Sequence, residues 1–312
     1  MTAILLETLP FFALIGLGWW AGRVRFFTPE ATAYLTKFVF YFALSAMLFG
    51  FAATLDVGAL FGWRFVAAYL WGSFVVWALA LGVAFARRLR LSEAAVEAQC
   101  AVIGNTGFLG VPMLIVLLGP QAAGPVLLVL ALDLVVFSSI ITIAITAARE
   151  GRLRPALLGS LAMGILRNPM IVSMVLGLGW GATGWALPGP LSDFLAILGA
   201  AATPGALFAI GASLATKSAE RREIAAWLSF CKLVLHPAAC AFAALVLFGV
   251  DRHAAGVMIA AAALPVAGNV YILAAHFGVA PQRVAASILI STAASILTVT
   301  AVVAWVTGVL WA

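Results

Sequence analysis

The sequence predicts an all-α membrane protein of ten transmembrane helices, built as two inverted five-helix repeats whose fourth and ninth helices are broken. Three observations carry that prediction. Of the 312 residues, 65% are apolar and only 9% charged, with a mean hydropathy of +1.17, which leaves too little polar surface for a water-soluble globule. At about 20 residues per crossing, a chain of this length allows about ten spans and almost nothing else. Two of the apolar runs are interrupted near their middles by helix-disrupting polar sequence, Gly104-Asn105-Thr106-Gly107-Phe108-Leu109-Gly110-Val111-Pro112 and Leu264-Pro265-Val266-Ala267-Gly268-Asn269.

The first apolar run follows Glu7 and precedes Arg23 and Arg25, the reverse of a secretory signal, so it is a first span with residue 1 outside. Spans follow at about 3 to 22, 33 to 54, 64 to 86, 97 to 118, 121 to 147, 166 to 186, 192 to 215, 224 to 248, 255 to 277 and 282 to 309. The third is closed by Arg87, Arg88 and Arg90, the fifth by Arg149, Arg152 and Arg154, and the seventh by Lys217, Arg221 and Arg222. Together with Arg23, Arg25, Lys37, Arg167 and Arg283, these fall on one side of the membrane, while only Arg64 and Arg252 fall on the other. Basic residues mark the cytoplasmic side, so both termini lie outside. The net charge of +6 is spread over short loops without interleaved aromatics, which excludes a nucleic-acid surface. Cys100, Cys231 and Cys240 are odd in number and sit in apolar context, which argues for packing and against a disulfide framework.

The longest polar connection, about 149 to 165, divides the chain into a first half of about 1 to 148 and a second of about 166 to 312. Five spans per half force the second half to enter the membrane upside down. Traces of homology support an inverted repeat. Pro10 precedes Gly16-Leu17-Gly18-Trp19 as Pro169 precedes Gly177-Leu178-Gly179-Trp180, and Leu48-Phe49 and Gly119 match Leu207-Phe208 and Gly278 at one shared offset.

Lipid cannot satisfy the N–H and C=O groups freed by a helix break, so an interruption at this depth belongs inside protein or beside a water-filled cavity. Paired breaks point to a transporter's binding site. Gly104, Pro112, Pro265 and Gly268 are the expected helix breakers. Asn105, Thr106, Gly107 and Asn269 are the expected substrate contacts, since a half-helix N-terminus with amide neighbours suits a carboxylate. No Arg or Lys occurs between residues 91 and 148, so an anion in the first half is expected to be held by dipoles and amides. Interhelical hydrogen bonding is the plainer role for a membrane Asn. Asp133 is the one acid deep in an apolar run, and an intramembrane acid is a functional candidate by default. It is the expected coupling residue for a proton or sodium ion, with a structural hydrogen bond as the alternative.

Lys232 and His236 are one helical turn apart and read as structural, the lysine snorkelling and the histidine satisfying carbonyls at the Pro237 kink. Ser45 offers a hydroxyl to substrate or to a small-residue interface. His253 and His276 lack partners at metal-ligand spacing. Gly179 to Gly184 fits a dinucleotide pattern but ends a membrane helix. Ser229-Phe230-Cys231-Lys232 fits a hydrolase motif without its companions.

The run from Gly104 to Pro112 resembles the fourth-helix signature of the auxin efflux carrier family, which includes plant PIN proteins and bacterial malate and malonate carriers. Leu264-Pro265 with Asn269-Val270-Tyr271, and Lys232-Leu233-Val234-Leu235-His236-Pro237, resemble its second-half signatures, and the likeness covers essentially the whole chain. The resemblance implies a fold like that of bile-acid and sodium/proton transporters, with crossed broken helices four and nine. Spans one, two, six and seven form a scaffold in that fold, and spans three to five and eight to ten a moving domain. It also implies an elevator-type cycle, organic anion substrates and a homodimer. Where plant members carry an amide and aromatics near substrate, this chain has Asp133, Phe137 and Ser138, and Ser45 stands where the family often has Pro. The expectation is a secondary transporter of mono- or dicarboxylates in a bacterial inner membrane, with no cofactor beyond a coupling proton or sodium. The alternatives are a sodium-coupled carrier of amphipathic acids and, from another class, a membrane-embedded enzyme.

Overall fold

The computed structural model describes residues 2–55, 62–150, 156–215 and 222–311. Arg152, Arg154, Lys217 and Arg221 of the charge count lie outside them. Among the described residues helices account for 86%, and one isolated antiparallel bridge is the only β pairing. The helices are α1 (Thr2–Arg23), α2 (Pro29–Ala53), α3 (Trp63–Ala86), α4 (Leu91–Val102), α5 (Thr106–Leu118), α6 (Pro120–Ala148) and α7 (Ala156–Leu166). They continue with α8 (Pro169–Gly181), α9 (Gly189–Leu214), α10 (Arg222–Leu247), α11 (Arg252–Ala262), α12 (Gly268–Phe277) and α13 (Pro281–Leu310).

Six of these, α2, α3, α6, α9, α10 and α13, are each long and apolar enough to cross a membrane. The end of α7 and α8 form a further candidate bent by 70°. The bend corrects the expected connection of 149 to 165 and the expected sixth span of 166 to 186. Helix occupies 156–166 within that connection, and the chain turns at Arg167 and Asn168 because Pro169 disfavours helix in the residue before it. Asn168 then caps α8 by accepting from the Met170 N–H at 3.0 Å, and α8 ends at Gly181, before a turn in which Gly184 adopts φ +69°.

Glycine sets two tight helix seams. A Cβ on Gly18 of α1 would collide with the carbonyl of Phe208 in α9, and one on Gly211 of α9 with the carbonyl of Ile15 in α1. On the second seam a Cβ on Gly177 of α8 would lie 2.6 Å from the Phe49 carbonyl in α2. Small residues permit such backbone approach where lipid offers no hydrophobic drive between helices.

The remaining helices are joined by polar side chains as well. Arg87 at the end of α3 and Arg283 at the start of α13 both bind the buried carboxylate of Glu97 in α4, at 2.7 and 2.9 Å. Arg283 also reaches Glu93 at 3.2 Å. These two basic residues, counted on one side from sequence, therefore lie at one end of the molecule. At another point in the fold Trp311 stacks on His253 at 4.5 Å and donates to the Arg252 carbonyl at 3.0 Å. Several helices contain π turns, among them Thr106–Gly110, Asp133–Phe137 and Cys231–Leu235. Such turns insert an extra residue and recur at functional sites. Thr106, Asp133 and Lys232 each sit in one.

Candidate functional site

The two interruptions meet. Helix α4 ends at Val102, and the chain runs extended through Ile103 and Gly104 before α5 begins. Helix α11 ends at Ala262, and Pro265 to Ala267 run extended before α12. Gly104 and Val266 form the antiparallel bridge. The Asn105 N–H donates to the Pro265 carbonyl at 2.8 Å, and the Ala267 N–H donates to the Ile103 carbonyl at 3.1 Å. Pro265 has no N–H to leave stranded, so the helix can stop there at little cost in unsatisfied donors. Exchanging the two segments carries Asn105 onto Ala267 and Ile103 onto Pro265. Asn105 and Asn269 are therefore not counterparts; Asn269 lies beyond Ala267 by two positions, inside α12.

Beyond the bridge, the Asn105 carbonyl accepts from both Leu109 and Gly110, at 3.0 and 2.9 Å. The N–H groups of Thr106, Gly107 and Phe108 head the new helix, as orphan donors do at any helix start. Pro112 lies in the first turn of the α-helical stretch that follows the π turn, past the break. Gly110 packs on the second interruption, where a Cβ would lie 2.5 Å from Leu264.

Asp133 is 2% exposed. Tyr69 donates to its Oδ1 at 2.6 Å, and the Thr106 hydroxyl lies 3.4 Å from both its Oδ2 and the Gly104 carbonyl. The carboxylate thus receives O–H donors from α3 and from the first break.

Lys232 corrects the sequence reading. It is fully buried and does not snorkel. Its ammonium donates to the Ala262 carbonyl at the C-terminal end of α11 and lies 3.1 Å from His236 Nδ1. A cation suits the negative end of a helix dipole. Its Cε and Nζ stand 3.2 and 3.3 Å from where a Cβ of Gly104 would be. The first break, with no Arg or Lys between residues 91 and 148, therefore has a cation from α10 in contact with it. His236 Nε2 lies 2.8 Å from Ser73 Oγ. With an ammonium donating to Nδ1, the ring proton sits on Nε2 and donates to Ser73. Gly72 makes that bond possible, since a Cβ there would lie 2.8 Å from the Cys240 backbone.

The other predicted residues separate into groups. Asn105 is 7% exposed and in the crossing. Among the described residues Asn269 Oδ1 is buried with no hydrogen-bond partner, and Gly268 opens α12 with open space around it. The hydroxyls of Ser45 and Ser138 donate to the carbonyls of Phe40 and Asp133 in their own π turns, each at 3.2 Å. Ser229 bonds the Ala225 carbonyl at 2.7 Å, a backbone role unlike that of a nucleophile beside Lys232. Four contributors escaped the sequence reading. Ser291 of α13 accepts from the Val266 N–H at 3.1 Å, Tyr69 holds Asp133, Met170 covers Gly107, and Phe40 stacks on Phe108 at 6.2 Å. A signal for Tyr69 and Ser73 was their helical-turn spacing in an apolar run, and for Ser291 the four-residue rhythm of Ser287, Ser291 and Ser295.

An apolar helical chain with two interruptions hydrogen-bonded to each other, lined by amides and a buried acid and base, defines a membrane transporter. The membrane transport protein family matches residues 3–303, and the chain belongs to it as an auxin efflux carrier family member. It is 33% identical over 300 residues, covering 94% of this chain and 92% of the relative, to a protein of Rhizobium meliloti (strain 1021) described as "Putative malonate transporter". The chain is thus a multi-pass membrane transporter and not an enzyme.

Proposed function

We propose that the protein is a secondary carrier of short dicarboxylates, malonate among them, that it works by elevator-type alternating access, and that protons drive it. The main-chain crossing of the two breaks carries this reading. It gathers the N-terminal ends of α5 and α12 at one place, and such ends favour carboxylates. The malonate description of the relative supports the substrate class. Thr106, Gly107, Asn105 and Asn269 face the anion. Asp133 is the coupling group, because its oxygens meet neutral O–H donors from Tyr69 and Thr106, a setting that accommodates a proton more readily than a stripped sodium ion.

The pairing of α1 with α9 and of α2 with α8 supports an inverted repeat of ten spans. Swapping the halves turns one pair into the other. In that reading these four helices form the scaffold, the rest form the moving domain, and both termini face outward in a bacterial inner membrane, with the homodimer of the family. Purified protein in liposomes, offered labelled carboxylates under imposed proton or sodium gradients, tests the proposal. Malonate uptake driven by an inward proton gradient and lost in Asn105→Ala is expected. Failure to move any carboxylate would end the carrier reading, and a response to sodium alone would transfer the coupling to that ion.

A further inference from the structure

We infer that Met170 is the adjustable wall of the site and sets how large a group the carried dicarboxylate can bear on its central carbon. The inference rests on the carboxylate-carrier reading above. The first residues of α5 meet apolar side chains at Gly107 and Phe108. A Cβ on Gly107 would lie 2.6 Å from the Met170 methyl and 3.5 Å from Leu130 Cδ1, and the Phe108 ring lies nearly parallel to Phe40, 12° apart. None of these groups can hydrogen-bond a carboxylate, so the part of a substrate that meets them is its carbon skeleton.

Among them Met170 alone combines a fixed backbone with a mobile tip. Pro169 and the Asn168 cap on the Met170 N–H fix the start of α8. The side chain is 3% exposed and ends over Gly107, and an unbranched thioether with three rotatable bonds reshapes easily around a neighbour. Gly107 and Met170 thus share one small volume. A substituent on the substrate enters it only by displacing the Met170 methyl.

The test compares initial uptake of malonate, methylmalonate and ethylmalonate by wild type, Met170→Ala, Gly107→Ala and the double variant in liposomes, each over a range of concentrations. Met170→Ala is expected to raise the ethylmalonate to malonate ratio of kcat/KM at least fivefold, mainly through KM. Gly107→Ala is expected to lower that ratio, and the lowering is expected to shrink in the Met170→Ala background because both changes act on the same space. A fall in kcat common to all three acids at an unchanged ratio would overturn the inference and make Met170 a packing contact. Additive effects of the two substitutions on the ratio would do the same. Wild type inactive toward every acid would instead strike the carrier reading, and the size filter would fall with it. Thermal unfolding of each variant in detergent checks that the ratios come from folded protein.

Discussion

The two interruptions share a pair of main-chain hydrogen bonds and keep different chemical company. The first, at Gly104 to Thr106, faces an acid: Asp133, held by Tyr69, lies beside the Thr106 hydroxyl. The second, at Ala262 to Ala267, faces a base and a neutral hydroxyl, Lys232 on the Ala262 carbonyl and Ser291 on the Val266 N–H. The difference follows from which ends are being satisfied. Lys232 serves carbonyls at the end of a half-helix and Ser291 serves an N–H in extended chain, while Asp133 sits where a half-helix begins. The crossing thus has a buried acid beside the start of α5 and a buried base on the carbonyl that ends α11, the base also lying against Gly104 of the first break.

Removing the base should break the comparison most severely. Lys232→Met leaves the Ala262 carbonyl and His236 without their donor, and each unmet buried group costs about 1–3 kcal/mol. Uptake below a tenth of wild type and a melting temperature several degrees lower, read by liposome transport and thermal unfolding, are expected; a variant with normal uptake would show the second break indifferent to its cation. Asp133→Asn keeps an acceptor for Tyr69, so stability should change by about 1 kcal/mol or less. Substrate exchange at equilibrium should persist while stimulation by a proton gradient disappears, and full gradient dependence in this variant would remove the acid from coupling.

A smaller contrast sharpens the comparison through its glycines. Gly104→Ala places a Cβ against the tethered Lys232 and 3.4 Å from the Ala261 carbonyl, which should cost about 1–3 kcal/mol as overpacking does. Gly268→Ala meets open space and should be neutral or slightly stabilising, by up to about 1 kcal/mol. Equal melting temperatures for the two variants would mean that Lys232 yields freely. Ser291→Ala strips one acceptor from the Val266 N–H and should lower stability by about 1–2 kcal/mol and uptake about twofold, as read by thermal unfolding and liposome transport.

Much of this could be read from the residues. Gly104-Asn105 and Leu264-Pro265 announced breaks because few chemistries interrupt an apolar run so deeply, and Asp133 announced itself because a buried acid is expensive. Lys232 was misjudged for a definite reason. Its spacing to His236 gives the face of one helix but not the helix opposite, and snorkelling is the ordinary fate of a lysine whose surroundings are unknown. Ser45 offered its hydroxyl to substrate or to a small-residue interface and Ser138 stands where plant members carry groups near substrate; both hydroxyls donate to carbonyls of π turns, which no residue pattern had marked. Met170 was invisible because a methionine in an apolar helix carries no sign of what it covers.

The seam between α1 and α9 has one more consequence. Side chains that interdigitate can slide past one another by hopping between rotamers, but Gly18 against the Phe208 carbonyl and Gly211 against the Ile15 carbonyl bring main chain to main chain, which has no rotamers to change. That junction behaves as a weld. Near the crossing the contacts are of another kind, a methyl on a glycine and one aromatic ring lying on another, where rotation about side-chain bonds is available.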